Sequence, residues 1–320
     1  LPKLPHGAAY MVIDNRKQGN ALTLDVIRDL KRQLIEYNTS PLSGKRLFLP
    51  QFKPSILSLL EKSAEKWRRH GQEDDYTWLV SSKVWAKERH GLPNIIVLAS
   101  GNNGNNFCSG HSIHEIRHEA RLGPEGVRQI FTECGELMSM IRRSPVLIAA
   151  RVKGNLHGAG VQLAAVTDMP ISHRALYKSV LPGKTLGFPC TAPGVVLGRT
   201  ILRSPREVMS ALIDGEVKFG KHVAFSYGEN ATHEKWCADL DSYLVKKVKE
   251  VLQSRTQPMA MAKWAVYAQM GLRGQNHLDA DGNEVEGCGG DGLEDALGFA
   301  ARVMALHSQS EDAIEEMDAF

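Results

Sequence analysis

The sequence lacks several features that would place it in a broad class at once. Only five cysteines occur in 320 residues, Cys108, Cys134, Cys190, Cys237 and Cys288, an odd number with no C-x-x-C spacing. That argues against a disulfide framework and points to a reducing compartment. No apolar run approaches the roughly 20 residues needed to span a bilayer. An excess of one charge is missing too: 39 basic against 36 acidic side chains leave a net charge of +3. A dedicated nucleic-acid surface is disfavoured, although a local basic rim for phosphates is compatible with this balance. The chain begins at Leu1 rather than at methionine, and its compartment cannot be read directly from the letters. No long repeat stands out. What is present is a 42% hydrophobic composition in a chain long enough to bury a substantial core, as one large or two smaller domains.

The most informative stretch is 144–168, SPVLIAARVKGNLHGAGVQLAAVTD, where an apolar strand runs into a glycine pair and opens directly into a helix. Such a turn aims unpaired backbone N–H groups at whatever precedes the helix, and suits an anion or a developing oxyanion. A second strand-to-glycine unit lies in 94–116, NIIVLASGNNGNNFCSGHSIHEI, with IIVLAS as a buried strand and CSGH as a sharp turn. Together the two turns can supply two amide donors to one carbonyl oxygen.

These two units resemble the crotonase (enoyl-CoA hydratase/isomerase) superfamily, whose F-x-x-G-x-D-[IL] turn reads FCSGHSI here. Its P-V-[IL]-A-A-[IV]-x-G-x-x-x-G-[GA]-G-x-x-L-A strand-turn-helix reads PVLIAARVKGNLHGAGVQLA. The likeness extends to DNRKQGNALTLDVIRDL near the start, LPGKTLGFPCTAPGVVLGR in the middle and PMAMAKWAV near the end. It implies an α/β fold, a crotonase-like (ClpP/crotonase) β-β-α spiral core over 1–228 with a helical insertion at about 39–92. A C-terminal helical oligomerisation region, 229–320, follows. It also implies an acyl-CoA thioester as ligand, with the oxygen held by the backbone N–H groups of His111 and Ala159. Ala21, Leu22, Ser112, Ile113 and His114 would line the path of coenzyme A, or serve as ordinary loop and helix-start residues. No permanently bound cofactor, no metal and no nucleic-acid partner are implied. A homotrimer or hexamer and a mitochondrial location are.

Departures from the family pattern bear on the chemistry. A hydratase of this family places one glutamate three residues after the second oxyanion donor and another after a proline. Here those positions are Gln162 and Gly183. An amide can hold a water but cannot accept its proton near pH 7, and glycine offers no side chain. Ordinary hydration is therefore expected to be crippled. The absent pair resembles the enoyl-CoA hydratase domain-containing branch, from whose S-G-H-D this chain departs at Ser112. Two readings stay open, an acyl-CoA enzyme that decarboxylates or hydrolyses thioesters, and a non-catalytic acyl-CoA binder or regulator. Among substitutes, His111 and His157 flank the turns as catalysts or as contact and packing residues. Lys184, Thr185, Cys190 and Thr191 follow the vacant position, Cys190 reading mainly as a buried thiol. Asp168 reads as structural.

Periodicity predicts a strand over 8–13 and a helix over 23–36, then helices over 55–70, 75–90, 236–253, 258–271 and 293–307. More than fifty residues separate the first helix from the next strand, well beyond the ~2–6 usual in an α/β unit. Trp67, Trp78 and Trp85 in this insertion are expected to bury its apolar face, the sharper alternative being a lid over an acyl pocket. The run KWRRH at 66–70 reads as a solvated face, or as a phosphate contact. Asp279, Asp281 and Asn283 alternate as in a calcium loop, but Glu284 replaces the glycine and Gly290 the glutamate, so 277–292 reads as a surface loop.

Overall fold

The computed structural model describes residues 1–101, 104–182, 191–202, 204–217, 232–272, 275–279, 281–287, and 306, 311, 314 and 315. The chain sorts into two compact units. The first comprises Leu1–Tyr37, Pro93–Arg142 and Leu147–Leu252, and the second Asn38–Leu92, Arg143–Val146 and Gln253–Phe320.

The first unit is built on β1 (Ala8–Ile13), α1 (Leu24–Tyr37), β2 (Ile95–Ser100), β3 (Asn106–Cys108), α5 (Ile113–Leu122) and α6 (Pro124–Arg143). β4 (Leu147–Val152), β5 (Asn155–His157), α7 (Ala159–Ala165), β6 (Met169–Ser172), β7 (Ser179–Val180), α8 (Thr191–Leu197), α9 (Pro205–Asp214) and α10 (His233–Leu252) complete it. β1, β2, β4 and β6 form one parallel sheet in that order, and β3, β5 and β7 a second parallel sheet. Each turn of the chain thus places one strand in the first sheet and the next in the second, as β2–β3, β4–β5 and β6–β7. This is the β-β-α spiral that the motifs imply. β2 is buried at all six positions, so its unbroken apolar run needs no alternation. α10 closes one face with Leu240, Leu244 and Val248, spaced four apart, against Ile95, Val97, Ala149 and Ile171. Burying each such side chain is worth about 1.5–3 kcal/mol. Arg151 on β4 is 5% exposed and meets Asp241 of α10 at 2.6 Å, so its charge is compensated inside the fold.

The second unit contains α2 (Ile56–His70), α3 (Thr77–Val80), α4 (Ser82–Glu88), α11 (Thr256–Gln269) and the hairpin β8 (His277–Leu278) and β9 (Glu284–Val285). α2 ends at Gly71 in the left-handed region, φ +62°, as the sequence predicts. The single helix expected over 75–90 is instead broken at Ser81. That residue is extended, and its hydroxyl accepts from Val84 N–H to start α4. Trp78 and Trp85 are 4% and 5% exposed and stack with ring centroids 5.7 Å apart. Trp85 Nε1 donates to Thr256 Oγ1 at 2.9 Å and Gln257 Nε2 donates to the Leu79 carbonyl, so the insertion and α11 share one core. Trp67 is half-buried and its Nε1 donates to Glu311 at 3.0 Å. Lys66, Arg68, Arg69 and His70 are exposed. In the hairpin the Asp279 carboxylate accepts from Asp281 N–H and Asn283 N–H, turned onto its own backbone. Of the helix expected over 293–307 only Leu306 lies among the described residues, and Cys288 and Gly290 lie outside them. Among the described residues no helix is long and apolar enough to cross a membrane.

Candidate functional site

The two glycine turns meet at the exits of β3 and β5. These strands pair in parallel, Asn106 with Asn155 and Cys108 with Leu156, so the chain leaves both at the same end. Gly110 adopts φ +85°, and a Cβ placed on it would fall 2.6 Å from the His157 carbonyl oxygen and 3.5 Å from Ala159 N. A Cβ on Gly160 would fall 2.4 Å from the Cys108 carbonyl oxygen. Only glycine permits either approach. Beyond Gly110, His111 forms a parallel bridge with Leu22. Leu22 N–H donates to the Gly110 carbonyl at 2.7 Å and Ser112 N–H to the Leu22 carbonyl at 3.3 Å. This register leaves His111 N–H facing away from Leu22, and Ala159 N–H heads α7. Neither N–H has an acceptor among the described residues.

The turns are held by a network that the motif letters do not reveal. Asn20, fully buried at φ +61°, donates through Nδ2 to the Asn106 carbonyl at 3.1 Å, and its Oδ1 accepts from Asn15 N–H. Asn15 Nδ2 in turn donates to the Ala21 carbonyl at 3.0 Å. Ser112 caps α5, its hydroxyl accepting from Glu115 N–H at 3.3 Å. A serine can therefore do the supporting work of the aspartate it replaces. Glu115 accepts from Leu24 N–H, the first residue of α1, so the opening motif and the first turn are tied together.

Gln162 lies one helical turn beyond Ala159 and is 4% exposed, and its Oε1 has no hydrogen-bond partner. The His111 imidazole packs edge-on against Phe131 of α6, ring centroids 4.8 Å apart, with both ring nitrogens buried. Burial drives its pKa down from 6.5 to about 4, the Leu22 carbonyl opposing the fall. The ring is thus neutral at physiological pH. His157 is half-buried and is also lowered by burial. Cys108 is fully buried, its thiol pushed up to about 12. Asp168 accepts from Ile148 N–H at 2.8 Å across the sheet, a structural task. Of the residues considered for the path of coenzyme A, Ala21, Leu22 and Ser112 are buried, while Ile113 and His114 are exposed. Gly183, Lys184, Thr185 and Cys190 lie outside the described residues.

No family model matches the chain. Among curated proteins it is 31% identical over 182 residues to enoyl-CoA hydratase domain-containing protein 3, mitochondrial, of Xenopus laevis, covering 56% of this chain and 58% of that protein. With the Mus musculus protein of the same name it is 36% identical over 112 residues, 34% of this chain and 35% of that protein. The crystal structure of human enoyl Coenzyme A hydratase domain-containing protein 3 superposes with a TM-score of 0.63 at 20% identity, over 99% of this chain and 95% of that one. The chain has a crotonase-like fold. Pseudomonas aeruginosa AtuE gives a TM-score of 0.65 at 17% identity, over 100% of this chain and 95% of that one, a likeness of fold. The chain spans a little over half the length of the Xenopus relative and about a third of the mouse one. The two turns carry the letters likened above to the crotonase signature pair, Gln162 among them.

Proposed function

We propose that the chain binds acyl-CoA thioesters, holding the thioester oxygen between the N–H groups of His111 and Ala159, and that it is a poor enoyl-CoA hydratase. The observation that supports this is the approach of Gly110 to His157 and Ala159, which sets two turns with acceptor-free N–H groups side by side. Each donor aimed at a transition-state oxygen is worth about 10²–10³ in rate. Against this, general acid-base groups contribute about 10²–10⁴ each, and Gln162 offers an acceptor without basicity. The chemistry left to such a site needs oxyanion or enolate stabilisation without a paired glutamate, as in decarboxylation or thioester hydrolysis. A non-catalytic acyl-CoA binder or regulator is the second reading. It is favoured by the unpartnered Oε1 of Gln162, which can accept from a ligand but not take its proton. Coenzyme A enters as part of the ligand. Its path would run along Ala21, Leu22, Ser112, Ile113 and His114, the first three offering mainly backbone groups. The relatives' names carry the word mitochondrial, and we place the chain in the same compartment. Calorimetry with acetyl-CoA, crotonyl-CoA and a longer acyl-CoA is expected to show saturable binding. No binding of any of the three overturns the proposal. Product formation from a bound thioester separates the enzyme from the binder.

A further inference from the structure

We propose that the chain carries a second ligand site, for a phosphate ester of a small polar molecule, at the end of the three-stranded sheet opposite the two turns. The sheet is parallel, so the chain enters β3, β5 and β7 from one end and reaches His111 and Ala159 from the other. Strands of three residues separate the two ends by roughly 10 Å. At the entering end lies a cavity of about 430 Å³, lined by Gly104, Asn105, Lys153, Asn155, Lys178 and His233 among others.

Backbone geometry brings these residues together. Gly154, at φ +93°, lets its segment lie on the neighbouring strand so closely that a Cβ would fall 2.8 Å from the Asn105 carbonyl oxygen. Asn155 N–H donates to that same carbonyl at 2.7 Å, Gly154 N–H to the Leu176 carbonyl and Leu156 N–H to the Lys178 carbonyl, each at 2.8 Å. Three chain segments thereby deliver Asn105, Lys153 and Lys178 to one concavity.

The charge pattern identifies the ligand class. Lys153, Lys178 and His233 are the ionisable groups whose charge can face the cavity besides the Tyr177 phenol, and no carboxylate lines it among the described residues. Neither lysine has an ion pair within the described residues, whereas Lys31, Lys45 and Lys87 each reach a carboxylate within 3.1 Å. Two ammonium groups sharing a concavity repel each other, and an anion between them reverses the sign of that interaction. Asn105 and Asn155 add neutral groups able to donate or accept. The volume exceeds that of bare phosphate and falls within the ~300–1,000 Å³ of small-molecule sites, so the anion is expected to carry a polar body.

The test uses the full chain, with ribose 5-phosphate and inorganic phosphate as separate calorimetric probes at low and at about 0.3 M salt. Ribose 5-phosphate is expected to bind saturably, at least tenfold more tightly than inorganic phosphate, and to weaken with salt. The double substitution K153Q/K178Q is expected to lose at least tenfold in affinity with an unchanged melting temperature, and K153R/K178R to keep binding. Absence of binding to the wild type, or unchanged binding by K153Q/K178Q, overturns the site. Equal affinity for the two probes overturns the ester and leaves a site for the free ion. None of these readouts depends on the acyl-CoA proposal.

Discussion

Two buried side chains beside the turns set the strongest expectations at the scale of single residues. His111 is neutral in the fold because burial lowers its pKa from 6.5 to about 4. Between those values the unfolded chain binds a proton that the folded one does not, so stability falls as pH falls from 6.5 toward 4. His157 and His173, also lowered by burial, act in the same direction. Thermal melting from pH 7 to 4 is expected to show this loss, on the order of 3 kcal/mol from His111 if fully expressed. His111→Gln should flatten the slope, and an unchanged slope would refute the assignment. Gln162 sets the chemical expectation. Wild-type hydration of crotonyl-CoA should be very weak, and Gln162→Glu with Gly183→Glu should raise it by orders of magnitude, since carboxylates can take and return the proton that an amide and a glycine cannot. A steady-state assay decides. A wild-type rate like that of an ordinary hydratase would show that another group moves the proton. These departures were legible in the letters because the motifs fix the spacing from Ala159. The supports were not: Asn20 reaches the Asn106 carbonyl across 86 residues and Glu115 reaches Leu24 N–H across 91, and no local pattern marks such a bond.

Elements differ in how much room they leave one another, and glycine substitution reads this out. Gly160→Ala would drive a methyl group into the Cys108 backbone, where α7 crosses β3, and nothing flexible can yield there. A loss of several kcal/mol or failure to fold is expected, about the scale of overpacking in a rigid core. Gly135 sits on the exposed face of α6 with nothing within 4 Å of an added Cβ. Gly135→Ala is therefore expected to stabilise by about 0.5–1 kcal/mol in urea unfolding. Opposite signs are the check, and equal effects would refute the packing of α7. Helices with one apolar face, α1 and α2, were legible from periodicity to within a residue. The break between α3 and α4 was not, because Glu311 accepts from Ser81 Oγ and Ser82 N–H at that point, a contact spanning about 230 residues.

At the scale of the whole molecule, α11 is apolar on nearly every side. It buries Met261, Trp264 and Ala268 in its own unit, yet Met259, Val266 and, just past its end, Met270 are 40–51% exposed. Such a helix is expected to be covered on its outer side. Sedimentation at micromolar concentration should give a trimer or a multiple of it, and a monomer would refute this. The spiral core was legible because each of its turns carries a local strand-glycine-helix signature. The membership of the second unit was not, since Gln257 donates to Leu79 across 178 residues and nothing in either segment names the other. That membership governs how the chain can be made. Asn38–Leu92 leaves the ribosome with Trp78, Leu79 and Trp85 unsheltered, and Gln253 follows only after about 160 further residues. At ~5–20 residues per second that is an interval of roughly ten to thirty seconds. During synthesis the insertion is thus expected to need shelter, and substitutions in it should lower yield from cells well before they lower the stability of the finished protein.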